Sequence, residues 1–295
     1  MALSDQNNGL AGLPYIVVRI RAGDRANDRA VHTGTGFFYR LKVDEKDVPL
    51  IVSNKHVLSG KTWIEFDFAA IDHQGNRIFG PSNKVRVEPG QLPIFEHPDE
   101  NVDLAAIPLN PMIEGLIGDG KNPHLLQLTK DNFAPSHVEA ILHAATSVLM
   151  VGFPNGIMDE ANNLPVVRRG TLATHYRANY LGQTNFVIDI AAFGGSSGSP
   201  IFAFFESMMP DGQGNVALIA EPQIFLIGVL HSGPMMTAEG KIVPTPVPTN
   251  FQVARTDVTI HLGYCAKAFR IEEIGLAIDA FVAKNPQSMG GDRAT

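Results

Sequence analysis

The sequence predicts an all-β protein: two antiparallel Greek-key β barrels packed together, with a C-terminal α-helix. Three observations carry this prediction. Short apolar and β-branched runs of strand length recur in two series on either side of a breaker-rich stretch. The 28 glycines and 20 prolines are spread along the chain, as many short strands joined by turns require. Only the last segment changes from strand-like to helical periodicity.

The first series is YIVVRIRA (15–22), TGFFYRL (35–41), PLIVSNKHVL (49–58), TWIEFDFAA (62–70), NKVRVE (83–88) and DLAAIPL (103–109). It defines a first barrel over residues 14–110, with HQGNR at 73–77 placed as a hairpin turn. Residues 111–137, broken by GDG and KNP, read as a connector. The second series is TSVLMVGF (146–153), PVVRRGTLATHY (165–176), TNFVIDIA (184–191), SPIFAFF (199–205), QIFLIGVL (223–230) and DVTIHLGY (257–264), which defines a second barrel over 138–265. Ile271, Ile274, Ile278 and Phe281 then fall on one stripe of a helix placed at 269–285, and 286–295 read as a disordered tail.

Composition narrows the function classes. With 44% hydrophobic residues in 295, the chain can bury one large core or two smaller ones. Its net charge is −7 and its longest basic run is Arg168-Arg169, a balance that repels phosphate backbones, so no nucleic-acid partner is expected. No apolar run approaches the roughly 20 residues that span a bilayer, so no membrane partner is expected either. Cys265 is the sole cysteine, and MALSDQNNGLAGLPY lacks a basic segment followed by an apolar one. Together these predict a reducing, cytoplasmic compartment. His32, His73, His97, His124, His137, His143 and His175 include no pair at metal-ligand spacing, so neither a metal nor another cofactor is expected.

The chemistry concentrates in GGSSGSP, residues 194–200. A serine hydroxyl is a poor nucleophile at neutral pH without an adjacent imidazole held by a carboxylate. It also needs backbone N–H donors aimed at the developing oxyanion, which explains the neighbouring glycines. Upstream, His56 ends the apolar run of LIVSNKHVLSG and Asp103 opens that of DLAAIPL.

TGTGFFY, SNKHVL around His56, DLAAIPL from Asp103 and GSSGSP around Ser197 follow in one order, and VLMVGFP, RRGTL and IGVLHSG match later strands. On these motifs the sequence resembles the trypsin/chymotrypsin-like serine proteases, in their bacterial trypsin-like peptidase branch, over roughly residues 14–285. The resemblance implies a serine endopeptidase acting on protein or peptide substrates. His56 would be general base and then acid, Asp103 its orienting carboxylate and Ser197 the nucleophile. The backbone N–H groups of Gly195 and Ser197 would form the oxyanion hole. Ala191, Ala192, Phe193, His231, Ser232 and Gly233 would line the specificity pocket, with no carboxylate to receive a basic side chain. His231 could point into that pocket or pack toward Asp103. Position 196, commonly acidic in this family, is Ser, and no cleavage motif precedes Tyr15, so activation by N-terminal trimming is not expected.

Two other readings stand beside this one. A protease-fold binding module would keep the barrels without turnover. An α/β-hydrolase-type esterase would use Ser196, the central residue of G-x-S-x-G in GGSSG, on a strand-to-helix turn.

Overall fold

The computed structural model describes residues 9–24, 32–72, 77–88, 90–211, 215–241 and 253–285. The first half forms β1 (Val17–Gly23), β2 (His32–Val43), β3 (Lys46–Ser53), β4 (Trp63–Ile71), β5 (Arg77–Val87), β6 (Phe95–Glu96), β7 (Ala105–Pro108) and β8 (Pro123–His124). They make one sheet in the order β5-β4-β1-β2-β3-β7-β6, with β8 paired to β4. The second half forms β9 (Ser147–Gly152), β10 (Val166–Leu172), β11 (Asn185–Asp189), β12 (Pro200–Phe205), the hairpin β13 (Met208–Pro210) to β14 (Val216–Leu218), and β15 (Gln223–Ser232). A second hairpin, β16 (Met235–Lys241) to β17 (Val253–Thr259), and β18 (Leu262–Lys267) complete it. Strands β10-β11-β18-β15-β12-β9 close into a barrel. The protein is therefore mostly β, with one closed six-stranded barrel, a second sheet and a C-terminal helix, consistent with a double-barrel fold.

Many strands bury both faces, which explains their nearly continuous apolar runs. In β2, Phe37, Tyr39 and Leu41 face a core shared by the two halves, while Phe38 faces the interior of the first sheet. In β12, Phe202 and Phe204 face the shared core, while Ile201, Ala203 and Phe205 fill the barrel. Period-two alternation thus sorts one strand between two apolar environments rather than between core and water. A register shift opposite Ile201/Phe202 changes the parity of β15: Leu226 and Val229 face the shared core, Ile227 and Leu230 the barrel.

Among the described residues four α-helices complete the fold: α1 (Lys55–Leu58), α2 (Asn110–Gly118), α3 (Ser136–Glu139) and α4 (Ile274–Lys284). The helical stripe is realised, since Ile274 and Ile278 of α4 are buried in the shared core with Ile271 of the preceding 3₁₀ turn. Three features differ from expectation. The run 257–264 is two strands, because Ile260-His261 turn the chain and His261 takes φ 60°. The supposed connector contains α2 and β8, so the first sheet reaches past residue 110. Closure by strand pairing is seen in the second half alone among the described residues. Residues 73–76 of the expected turn and the tail at 286–295 lie outside the described residues. Among the described residues no helix is long and apolar enough to cross a membrane.

Candidate active site

His56 owes its place to the end of β3. Beyond Ser53 the extended residue Asn54 starts the single turn α1, whose second residue is His56. The Asn54 side chain donates from Nδ2 to the carbonyl of Asp103 at 2.6 Å, tying the turn to the mouth of β7. Asp103 answers with both carboxylate oxygens. Oδ1 accepts the backbone N–H of His56 at 3.2 Å, and Oδ2 lies 2.6 Å from His56 Nδ1. A carboxylate can only accept there, so the ring proton belongs on Nδ1 and the lone pair on Nε2. Burial pushes the Asp103 carboxyl up, but hydrogen bonds from His56 and the charges of His56 and His231 outweigh it and hold it below its ordinary 3.8.

Ser197 sits on a tight turn. The N–H of Ser196 donates to Phe193 O and that of Ser199 to Ser196 O, both at 3.0 Å. Gly195 and Gly198 have φ of +82° and +87°. A Cβ at Gly195 would lie 2.6 Å from Phe153 O, and one at Gly198 would lie 1.9 Å from Thr35 O, so both must be glycine. The turn is pinned to the opposite half by one buried residue. Thr35 donates from its N–H to Ser197 O at 2.8 Å and from Oγ1 to Gly195 O at 3.0 Å, while its Oγ1 accepts Phe153 N–H at 3.1 Å. The N–H groups of Ser196, Gly198 and Ser199 are all used inside the fold, but those of Gly194, Gly195 and Ser197 have no acceptor among the described residues. The turn therefore presents backbone donors beside a half-buried hydroxyl. Ser197 Oγ makes one long hydrogen bond, 3.5 Å to His231 O, rather than one to the His56 ring.

A cleft of about 440 Å³ brings His56, Asp103 and Ser197 together with Ala192, Phe193, His231, Ser232 and Gly233. Ala191 does not line it; its carbonyl instead accepts a 2.6 Å bond from Arg168 Nη1, whose guanidinium lies 5.1 Å from the centre of the Phe193 ring. Leu230, Pro234 and Leu262 line the cleft without having been expected. Leu262 was hidden by reading 257–264 as one strand. His231 forms wall beside Asp103, with Ser232 Oγ 2.9 Å from its Nδ1, and burial holds its pKa below 6.5. A second cleft of about 490 Å³, lined by His32, Thr33, Lys61 and Asn155, meets the first at His56, Gly194 and Ser197.

Ser196 is wholly buried, its Oγ facing the Phe193 N–H at 3.4 Å, and the strand β12 rather than a helix follows the turn. This geometry is incompatible with an α/β-hydrolase elbow at Ser196. Thr35 was the role that sequence reasoning missed. Its signal is a polar residue between Gly34 and Gly36 in an apolar strand, a pattern that marks close backbone approach.

The family model described as "Trypsin-like peptidase domain" matches residues 34–206, more than half of the chain. Among solved structures, the chain is similar to the Rv3671c protease from M. tuberculosis in its active form, with 15% identity over 97% of this chain and 86% of that one, at a TM-score of 0.45. It is similar also to a mutant of Rv3671c in its inactive form, with 13% identity over 98% and 96% of the two chains, at a TM-score of 0.44. A search of the curated proteins finds no match.

Proposed function

Because the chain belongs to the trypsin-like peptidase family, we propose that it is a serine endopeptidase that cleaves peptide bonds through an acyl-enzyme on Ser197. One observation carries this reading: the 2.6 Å contact of Asp103 with His56 Nδ1 leaves Nε2 as a base in the cleft that holds Ser197. In the first half-reaction His56 Nε2 takes the hydroxyl proton as Ser197 Oγ attacks the scissile carbonyl. The N–H groups of Gly195 and Ser197 receive the oxyanion, and His56 then protonates the leaving amine. Water, deprotonated by the same imidazole, releases the acyl group. Asp103 stays ionised throughout and stabilises the imidazolium.

The cleft walls support a preference for uncharged, small or apolar side chains before the scissile bond. Ala192, Phe193, Leu230 and Leu262 offer no carboxylate to a substrate cation, and Arg168 already lies against Phe193. Among the described residues Ser196 is held by the turn's own hydrogen bonds, so the proposed site should be competent without N-terminal trimming.

A fluorophosphonate probe tests the reading. It should label the wild-type chain, and Ser197→Ala and His56→Ala should abolish labelling and peptide cleavage by about 10⁴-fold or more. A folded wild-type chain that resists the probe would leave the protease-fold binding module standing instead.

A further inference from the structure

The loop between β6 and β7 carries Asp103, and its conformation is set from an unexpected quarter. Asp99 stands at its centre. Oδ1 accepts the N–H and side-chain amide of Asn101 at 3.0 and 3.1 Å, the Asp99 N–H donates to His97 Nδ1 at 3.0 Å, and the Asp99 carbonyl accepts Lys55 Nζ at 2.9 Å. Lys55 immediately precedes His56 in α1. The remaining oxygen, Oδ2, accepts Arg270 Nη2 at 2.6 Å from 171 residues away in the chain. Arg270 is in turn held by Glu273 at 3.1 Å, and Glu273 Oε2 lies 3.1 Å from Nε2 of the wholly buried His97.

We propose that Arg270 and Glu273 are positioning residues for the reaction: this C-terminal pair clasps the Asp99 loop so that Asp103 and His56 meet in register. The inference rests on the serine-peptidase reading above. Both residues lie beyond the stretch matched by the family model, which ends at residue 206. The clasp reaches both ends of the His56–Asp103 contact, one through the loop backbone and the other through Lys55. Arg270 is largely shielded from solvent, at 13% exposure, while Asp99 is 42% exposed, so the clasp acts by fixing a position rather than by the strength of its ion pairs. Beyond the clasp, the loop backbone is fastened near Asp103 by Asn54 Nδ2 to Asp103 O at 2.6 Å and within itself by His97 N–H to Leu104 O at 2.9 Å, Leu104 N–H to Val102 O at 3.0 Å and Val102 N–H to Asp99 O at 3.1 Å. Neither residue touches the reacting atoms, so loss of the clasp should slow the chemical step rather than weaken substrate binding.

The test uses the full chain and a fluorophosphonate probe, with kcat and KM for a cleaved peptide. Arg270→Met should slow labelling and lower kcat by about 10- to 100-fold, the range expected for a misplacement near 1 Å, with KM little changed. Asp99→Asn should do the same, and the double variant should be no slower than the worse single, because both break one contact. Arg270→Lys, which keeps the charge facing Asp99, should recover part of the rate. Should Arg270→Met fail to fold, the near-isosteric Asp99→Asn and Glu273→Gln carry the test. Labelling within two-fold of wild type in the folded variants overturns the inference, as does a slowdown accounted for by the unfolded fraction. A folded wild type that is not labelled at all overturns the serine-peptidase reading and this inference with it.

Discussion

Thr35→Val should uncouple the nucleophile turn from the other half of the molecule. The substitution keeps the side chain's shape but not its hydroxyl. Thr35 is wholly buried, and its Oγ1 both donates to Gly195 O and accepts from Phe153 N–H. Val leaves two buried backbone groups without partners, each costing about 1–3 kcal/mol, while the added methyl offsets about 1 kcal/mol by burial. The balance is a destabilisation of about 3 kcal/mol. Trp63, the single tryptophan, is buried in the first sheet, so denaturant unfolding followed by its fluorescence reads the loss. The Gly195 carbonyl belongs to the peptide that lies between the two proposed oxyanion donors, the N–H groups of Gly195 and Ser197, and its release lets both shift, so fluorophosphonate labelling of the folded protein should also slow by about 10-fold or more. Thr35→Ser, which keeps the hydroxyl, should restore most of both. A Thr35→Val protein within 0.5 kcal/mol of wild type, labelled at the wild-type rate, would refute the reasoning (about 0.5 kcal/mol being an ordinary surface effect).

Three further outcomes are expected. Ser196→Ala removes only a long contact to Phe193 N–H and should keep fluorophosphonate labelling within a few-fold of wild type; loss of labelling would move the nucleophile to Ser196. Gly198→Ala puts a Cβ 1.9 Å from Thr35 O at a φ of +87°, so soluble yield and unfolding midpoint should both collapse, and a native-like midpoint would show that the turn tolerates the side chain. Stability should depend on pH in two windows. Burial, reinforced by Arg270 at His97 and only partly offset by Asp103 at His231, holds both histidines below their ordinary 6.5, so the unfolded chain binds protons that the folded one refuses, and stability should fall as pH drops below about 6.5. Asp103 is held below 3.8 by His56 against its burial, so its contribution is present above 3.8 and lost as pH falls further. An unfolding midpoint that stays flat from pH 7.5 to 5 would contradict the first window.

The strands were legible because burial on both faces wrote them as apolar runs, as in TGFFYRL and SPIFAFF. The helix was legible because Ile274 and Ile278 sit on one stripe. The three residues of the proposed triad could be found from the sequence alone because each stands where a strand meets a turn. What escaped depended on contacts between distant segments. Nothing near Arg270 in the sequence announces Asp99, and ion pairs carry no periodicity. The break at His261 escaped because a histidine in a left-handed conformation leaves no turn residue to read. The hairpin of β13 and β14 escaped for the opposite reason: Val216 and Leu218 are exposed, so the pattern there reports no core.

The bond from Thr35 to the nucleophile turn also has a meaning in time. A chain leaving the ribosome presents Thr35, His56 and Asp103 well before residues 193–199 exist. During that interval His56 and Asp103, the proposed base and its carboxylate, have no serine turn beside them. The later turn, on its own, lacks the partner that fixes the Gly195 carbonyl. Competence on this account arrives with docking of the two halves and not before. On the serine-peptidase reading, an unfinished or half-unfolded copy would carry no assembled site with which to cut its neighbours.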